Sequence, residues 1–302
     1  MKNFKRQAFS LIELSIVILI IGILVAGVTQ SSRLVRQIKL YSAQSITRSS
    51  DINSIGEMVF WAETTLEKSL TNAQGSSDVE DGNAISSWSD INLRSNPKIN
   101  LAQSNTNNQP TYKLSGINAL PSISFDGNND NLFSTSITPL PPADKNYTLV
   151  LVWRPSRLTS ADGVILLAQG TSPFAPNRVA SILLYGGTSG FAGWLNSYYP
   201  ATQVAINVDY ITIITINNNL ASNNVAVYIN SNTPSLGTSS VGPANLDLSN
   251  QIFCVGGVDS MASMYNFFGL ISEAIVFDRN LKADEVRAVN SYLSKKYAIK
   301  IN

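Results

Sequence analysis

Residues 5–28 read KRQAFSLIELSIVILIIGILVAGV, and they divide the chain. Lys2, Lys5 and Arg6 come first, and from Phe9 to Val28 the only charge is Glu13. At about 1.5 Å per residue this apolar run is roughly 30 Å long as a helix, the thickness of a bilayer's hydrocarbon. A secretory signal has a shorter apolar core followed by a small-residue cleavage site. Here the run is longer, and Val25 to Gly27 offer only a weak site. Basic residues precede the run and no acidic residue does, so the positive-inside bias places Met1 in the cytoplasm and residue 30 onward across the membrane. A carboxylate inside a spanning helix costs about 2.5–3.5 kcal/mol on insertion scales, which makes Glu13 a functional candidate in need of a partner.

The helix is expected to continue past the membrane. In SSRLVRQIKLYSAQSITRSS (31–50), Leu34, Ile38 and Tyr41 fall at i, i+4 and i+7 on one face. Arg33, Arg36 and Lys39 lie mostly elsewhere and read as a solvated stretch facing lipid headgroups. Gly22 and Gly27 are its weak points.

These residues resemble the leader and N-terminal helix of type IV pilins and type II secretion pseudopilins. The resemblance rests on the basic leader, the small residue, Phe, Glu and the long apolar run, and it covers about residues 2–40. It implies that a prepilin peptidase cuts between Ala8 and Phe9, and that the new terminus, Phe9, is N-methylated. It also implies that Glu13 pairs with a neighbouring subunit's terminal amine during filament assembly. A buried carboxylate meeting a buried ammonium is physically sensible there. Two departures stand out. Ala8 occupies the position usually held by Gly, and Gln30 stands where many pilins have a helix-kinking proline.

From about residue 56 the texture changes to short apolar runs separated by Asn, Ser, Gly and Pro clusters, the pattern of an antiparallel β-sandwich or barrel. Expected strands cover 56–63, 121–127, 147–155, 163–170, 180–187, 210–218, 224–230, 252–257 and 269–279. Residues 68–84, KSLTNAQGSSDVEDGNA, read as a flexible loop. A helix is expected to close the chain in NLKADEVRAVNSYLSKKYAIKIN (280–302). Val286, Val289 and Leu293 form its apolar stripe, and acidic and basic residues stand at the ends the macrodipole favours.

Composition removes several functions. The chain has 302 residues and no histidine, which excludes a Ser-His-Asp triad and His-ligated zinc. Net charge is +1, too little to hold a phosphate backbone, so no nucleic-acid partner is expected. The single cysteine, Cys254, allows no intramolecular disulfide and reads as a small buried residue.

Residues 57–300 carry a second resemblance, to bacterial concanavalin A-like, laminin-G-like domains. It rests on Trp61, Trp88 and Asp90, then Gln109, Pro110 and Tyr112, then Phe125, Asp126, Gly127 and Asp130. Near the end it rests on Leu281, Glu285, Tyr292, Leu293, Lys296 and Tyr297. Lys282 departs from the Ser or Thr helix cap often found there, a loss of about 1 kcal/mol at the helix start.

Three chemistries are open to such a scaffold. Glycoside hydrolysis needs two carboxylates about 5–9.5 Å apart across a cleft. No E-x-D-x-x-E run supplies them, and Glu273 and Asp278 are five apart, so no enzyme activity is expected. Calcium needs several hard oxygens. Asp78 and Asp81 in one loop, and Asp126 and Asp130 in another, offer them, but the second loop also reads as a tight turn in which Asp and Asn bond their own backbone. Sugar binding could use Trp194, Asn196, Tyr198 and Tyr199, where aromatic faces and an amide converge. The alternative is that Phe191 and Trp194 are core and the tyrosines cover an edge. Trp61, Trp88 and Trp153 are expected in the core.

The expectation is a mainly β protein. A leader spans 1–8, a membrane and assembly helix 9–48, and a jelly-roll sandwich with a short C-terminal helix 57–302. The expected role is a minor pilin or pseudopilin-like subunit in the inner membrane with its head outside the cytoplasm, in a surface filament. Its partners would be the prepilin peptidase, other pilin-like subunits and a glycan or surface ligand. No cofactor is expected, with calcium the alternative that Asp78, Asp81, Asp126 and Asp130 leave open. The competing reading is a membrane-anchored lectin- or adhesin-like protein that never enters a filament.

Overall fold

A single helix, α1 (Leu11–Arg48), opens the computed structural model. The residues described are 11–134, 138–140, 146–158, 164–170, 179–193, 197–238, 248, 252–257 and 265–302. At about 1.5 Å per residue its 38 residues measure roughly 57 Å. Gly22 and Gly27 do not interrupt it. Every side chain described from Leu11 to Val28 is exposed. The chain divides into two compact units, Met1–Ser42 and Ala43–Asn302.

The second unit is built on strands β1 (Met58–Glu63), β2 (Leu70–Asn72), β3 (Ile85–Ser89), β4 (Asn100–Ala102), β5 (Thr111–Lys113), β6 (Ser122–Asp126), β7 (Leu132–Ser134), β8 (Tyr147–Pro155) and β9 (Val164–Gly170). It continues through β10 (Val179–Tyr185), β11 (Thr188–Ala192), β12 (Ser197–Tyr198), β13 (Tyr210–Ile216), β14 (Val225–Ile229), β15 (Ser235–Gly237), β16 (Ile252–Val255) and β17 (Phe268–Phe277), then helix α2 (Ala283–Tyr297). Among the described residues one sheet runs β15-β14-β13-β8-β17-β6-β5, with β1 also paired to β17. The other runs β12-β11-β10-β9-β16-β7-β4-β3-β2. Among the described residues every pairing between these strands is antiparallel.

Strand alternation sorts the side chains between two cores. On β8, Leu149, Leu151 and Trp153 face the second sheet, where they meet Leu166, Ile182 and Phe253. Val150 and Val152 point the other way and pack under α2 with Val286, Val289 and Leu293. The first sheet is therefore covered on both faces. This explains why its central strands read as continuous apolar runs rather than alternating ones. Trp61, Trp88 and Trp153 are buried, as is Cys254, whose thiol burial pushes up to about 12.

The polar stretch 68–84 is not the free loop its composition suggests. It holds β2, and Asn72 Oδ1 accepts the N–H groups of Gln74 and Ser76 at 3.0 and 2.9 Å. An Asx turn thus replaces the missing hydrophobic contacts. The outer edge of β1 is also closed. Asp90 Oδ1 accepts the Trp61 N–H at 3.1 Å, Asn92 Nδ2 donates to Met58 O at 2.8 Å, and Ile91 N donates to Trp61 O at 2.7 Å. At the start of α2, Lys282 carries only donors and cannot cap with its side chain. Glu285 instead accepts the Lys282 N–H at 2.8 Å and is held bidentately by Arg279 at 2.7 and 2.6 Å.

Candidate functional site

Glu13 lies in the first turn of α1 with its side chain exposed. Ala8 and Phe9 lie outside the described residues, as do Trp194 and Asn196.

The two tyrosines of the aromatic segment part company. Tyr198 pairs with Phe191 across β11 and β12 and turns toward the inter-sheet core. Its hydroxyl meets Ser235 Oγ at 2.8 Å on β15, an edge strand of the other sheet. Its ring lies so close to Gly237 that a Cβ there would sit 2.0 Å from it. Tyr198 thereby joins the two sheet edges. Tyr199 emerges on the outer face of the second sheet, packed against the apolar group formed by Ile165, Leu183 and Cys254. Its ring stacks on Tyr185 at 5.3 Å with a 33° tilt. Tyr185 is 44% exposed, and Thr188, opposite it in the β10–β11 hairpin, buries an Oγ1 that has no partner among the described residues. Burial, and behind it the neighbouring Tyr185, push the Tyr199 hydroxyl up to about 12. The pair is an uncharged aromatic platform with hydroxyls at its rim, suited to the apolar face of a sugar ring. Tyr185 was not singled out in the sequence because it ends an apolar strand.

The acidic candidates are mostly engaged. Asp78 is exposed, and Asp81 Oδ1 accepts the Leu114 N–H at 2.7 Å. Asp126 accepts Asn128 N, Asn128 Nδ2 and Asn129 N at 2.8, 3.0 and 3.3 Å. Asp130 Oδ2 accepts Asp126 N at 2.9 Å. These bonds build a tight turn with Asp126 at its centre. Burial, then the Asp126 charge, push the Asp130 carboxyl up to about 7. Among the described residues no group of three or more Cys, Asp or Glu side chains is placed to hold a metal ion.

A fully buried cluster of charge lies elsewhere, under α2. Glu63 of β1 and Glu273 of β17 stand directly opposite in the antiparallel register. Like charges in that position repel. A bulge between Ile271 and Glu273 breaks the alternation, so Ile271 enters the inter-sheet core while Glu273 faces α2. Lys296 of α2 reaches between the two carboxylates, 2.7 Å from Glu63 Oε2 and 2.8 Å from Glu273 Oε2. All three side chains are fully buried. Glu63 also accepts Thr65 N, Thr65 Oγ1 and Leu66 N at 2.8, 2.5 and 2.6 Å. Glu273 accepts Trp61 Nε1, Tyr292 OH and Tyr297 OH at 2.7, 2.8 and 2.9 Å. The end of α1 joins in, with Gln44 Nε2 donating to Thr65 O at 2.8 Å and Thr47 Oγ1 lying 3.2 Å from Tyr292 OH.

Burial opposes the charge on Glu63, but the Lys296 ammonium and the hydrogen bonds of Thr65 outweigh it and hold the carboxyl low. Burial likewise opposes the charge on Lys296, and Glu273 and Glu63 overcome it, raising the amine. Two carboxylates meet here as a glycosidase requires, yet both are sealed from solvent. No sugar can reach them, so the cluster is a structural tie. Of its members, Tyr292, Lys296 and Tyr297 belong to the pattern at the chain's end. Glu63 drew no notice, since a lone Glu after an apolar strand looks like a solvated terminus.

The fold defines the class first. The binding domain of Paraclostridial Mosquitocidal Protein 1 superposes with a TM-score of 0.56 at 15% identity, over 80% of this chain and 53% of that one. A Trypanosoma rangeli sialidase in complex with sialic acid gives 0.51 at 15% identity, over 82% and 34%. A GH54 α-L-arabinofuranosidase mutant soaked with 4-nitrophenyl α-L-arabinofuranoside gives 0.59 at 11% identity, over 82% and 65%. The chain thus spans about half of the toxin domain and a third of the sialidase. At these identities the likeness is one of fold. The particular motif sits at the other end: residues 3–29 match the prokaryotic N-terminal methylation motif. A comparison with curated protein sequences found no match. The chain therefore carries a pilin-type methylation motif and a helix long and apolar enough to cross a membrane, followed by a β-sandwich.

Proposed function

We propose that this chain is a minor pilin- or pseudopilin-like subunit of a type IV pilus or type II secretion filament, with a glycan-binding head. The observation that carries the reading is the methylation motif at 3–29 running into a helix whose side chains, as described from Leu11 to Val28, are all exposed. Such a surface needs lipid before assembly and neighbouring helices after it. In this reading the peptidase cuts between Ala8 and Phe9, Phe9 is methylated, and its amine pairs with Glu13 of a neighbour. The leader stays in the cytoplasm and the domain after residue 48 lies outside it. The chain itself performs no chemistry. The sialidase structure is a complex with sialic acid, and the arabinofuranosidase was soaked with an arabinofuranoside. Together with the Tyr185–Tyr199 platform, and with Trp194 and Asn196 a few residues away in sequence, this supports a glycan as the head's ligand.

The test is intact mass and N-terminal peptide analysis of the protein from membranes and from sheared surface filaments. A chain beginning at N-methyl-Phe9 in the sheared fraction is expected. Glu13→Val should leave membrane insertion intact and abolish recovery in that fraction; unchanged recovery sinks the pairing. An uncut chain confined to membranes would favour the second reading, an anchored lectin-like protein, which the Tyr185–Tyr199 platform also suits. A glycan array with the full chain in detergent, with Tyr199→Ala as control, reads the head in either case.

A further inference from the structure

Among the described residues, the nine strands of the second sheet hold no Asp, Glu, Lys or Arg. The sequence from Val179 to Val208, which carries the Tyr185–Tyr199 platform, holds none either. The backbone fixes the ring of Tyr199. A Cβ at Gly190 would lie 2.7 Å from its Cδ1 and 2.4 Å from Tyr198 O, so glycine alone lets the ring lie down on the strand. Tyr185 stacks on that ring and is itself 44% exposed. Burial holds the Tyr199 hydroxyl protonated well above neutral pH.

At the rim stands Gln203. Val204 N donates to Gly187 O at 2.8 Å, and Gln203 faces Thr188 in an isolated antiparallel bridge. Thr188 is in turn the partner of Tyr185 in the hairpin. Gln203 is exposed yet placed: its Oε1 lies over the hairpin turn, where a Cβ on Gly187 would come within 2.7 Å of it. One open aromatic ring, a hydroxyl and an amide thus meet, and all are neutral.

These groups select the class of ligand. A carboxylate or phosphate laid on the ring would shed water with no cation in this stretch to receive it, and anions are held best by Arg or Lys. A stable protein partner needs about 1,200 Å² or more of buried surface with large anchors at its centre. Here a single open ring is flanked by Gly186, Gly187, Thr188 and Gln203. A sugar ring fits both parts. Its C–H face covers the tyrosine, and its hydroxyls exchange hydrogen bonds with an amide that donates and accepts.

We propose that Tyr185, Thr188, Tyr199 and Gln203 form a binding site for an uncharged sugar, with Gln203 reading its hydroxyls. This rests on the glycan reading above and narrows it: an acidic sugar, like the sialic acid of the sialidase complex, is refused.

The test uses the full chain in a detergent without a sugar headgroup, on an array of neutral glycans printed beside their sialylated and glucuronylated counterparts. The strongest signal is expected from a neutral glycan, with its acidic counterparts at least tenfold weaker. In titrations with that neutral glycan, Kd should change less than twofold between about 50 and about 500 mM NaCl, because no ion pair is there to screen. Tyr185→Ala and Gln203→Ala, both at exposed positions, should each weaken binding tenfold or more without moving Tm. Gln203→Arg should turn the preference toward the acidic counterpart. Acidic binding at parity that Tyr185→Ala removes, or a Kd that climbs with salt, overturns the uncharged class and leaves the glycan-binding head standing. Neutral binding indifferent to Tyr185→Ala or Gln203→Ala, or an unmoved preference in Gln203→Arg, overturns this site. No signal from any glycan overturns the site and the glycan reading together.

Discussion

Lys296→Met keeps a long side chain under α2 and removes its charge. It strands two fully buried carboxylates facing each other across β1 and β17. Removing one partner of a buried ion pair costs about 3–5 kcal/mol. Each glutamate keeps three hydrogen bonds from other donors, which lowers the cost. Their mutual repulsion raises it, and about 4 kcal/mol is expected. At about 2–4 °C per kcal/mol for a domain of this size, Tm should fall by roughly 10 °C. The pH dependence is the sharper signature. In the parent chain the lowered carboxyl of Glu63 contributes stability above its ordinary 4.5, and loses it as pH falls through the folded value. The raised amine of Lys296 contributes below its ordinary 10.5, and loses it as pH climbs through the folded value. In the variant a glutamate takes up a proton on folding, so acid favours the variant's folded state. The gap between the two proteins should therefore be widest near neutral pH and shrink toward about pH 4. Near-UV circular dichroism melts of both full chains in detergent measure it. A Tm loss under about 2 °C, or a gap that is constant with pH, would refute the buried-charge account. Glu63→Gln and Glu273→Gln added to Lys296→Met should recover most of the loss.

Asp130→Asn should stabilise the chain at neutral and higher pH. The raised folded pKa of Asp130 makes parent stability decline from pH 3.8 to about 7; chemical melts across that range should show the decline in the parent and not in the variant. Gly269→Ala should cost about 3 kcal/mol or more, because its Cβ would lie 2.2 Å from the backbone oxygen of Arg154 in a paired strand that cannot retreat; a shift in denaturation midpoint reads it. Tyr198→Phe removes the hydroxyl that reaches Ser235 across the two sheet edges and should cost about 1 kcal/mol; amide exchange should quicken in β12 and β15 and leave β8 and β17 untouched.

The sequence made some features plain and hid others for physical reasons. The long helix and the nine strands expected at 56–63, 121–127, 147–155 and onward are all present, because each is a run of apolar side chains long enough to stand out. Strands such as β2, β4 and β5 have three residues each, too few for a hydrophobic period to announce them. The bulge at Ser272 was equally silent, yet it decides that Glu273 faces α2. The buried triad depends on β1, β17 and α2 meeting, and residues 63, 273 and 296 share no local pattern. In the aromatic segment the spacing showed that tyrosines gather but not which face each takes. The structure turns Tyr198 inward and Tyr199 outward.

The tie under α2 also sets an order of events during synthesis. Glu63 and Lys296 are separated by 233 positions. At about 5–20 residues per second the lysine leaves the ribosome roughly 12–47 s after the glutamate. Until β17 is made β1 lacks its strand partner, and until Lys296 follows Glu63 lacks its counter-charge. The head cannot lock domain-half by domain-half from its N-terminus; it closes as a whole when the last helix arrives. A chain interrupted before β17 would display the unpaired edge of β1 to proteases and chaperones, and one interrupted between β17 and residue 296 would bring Glu63 and Glu273 together without their counter-charge.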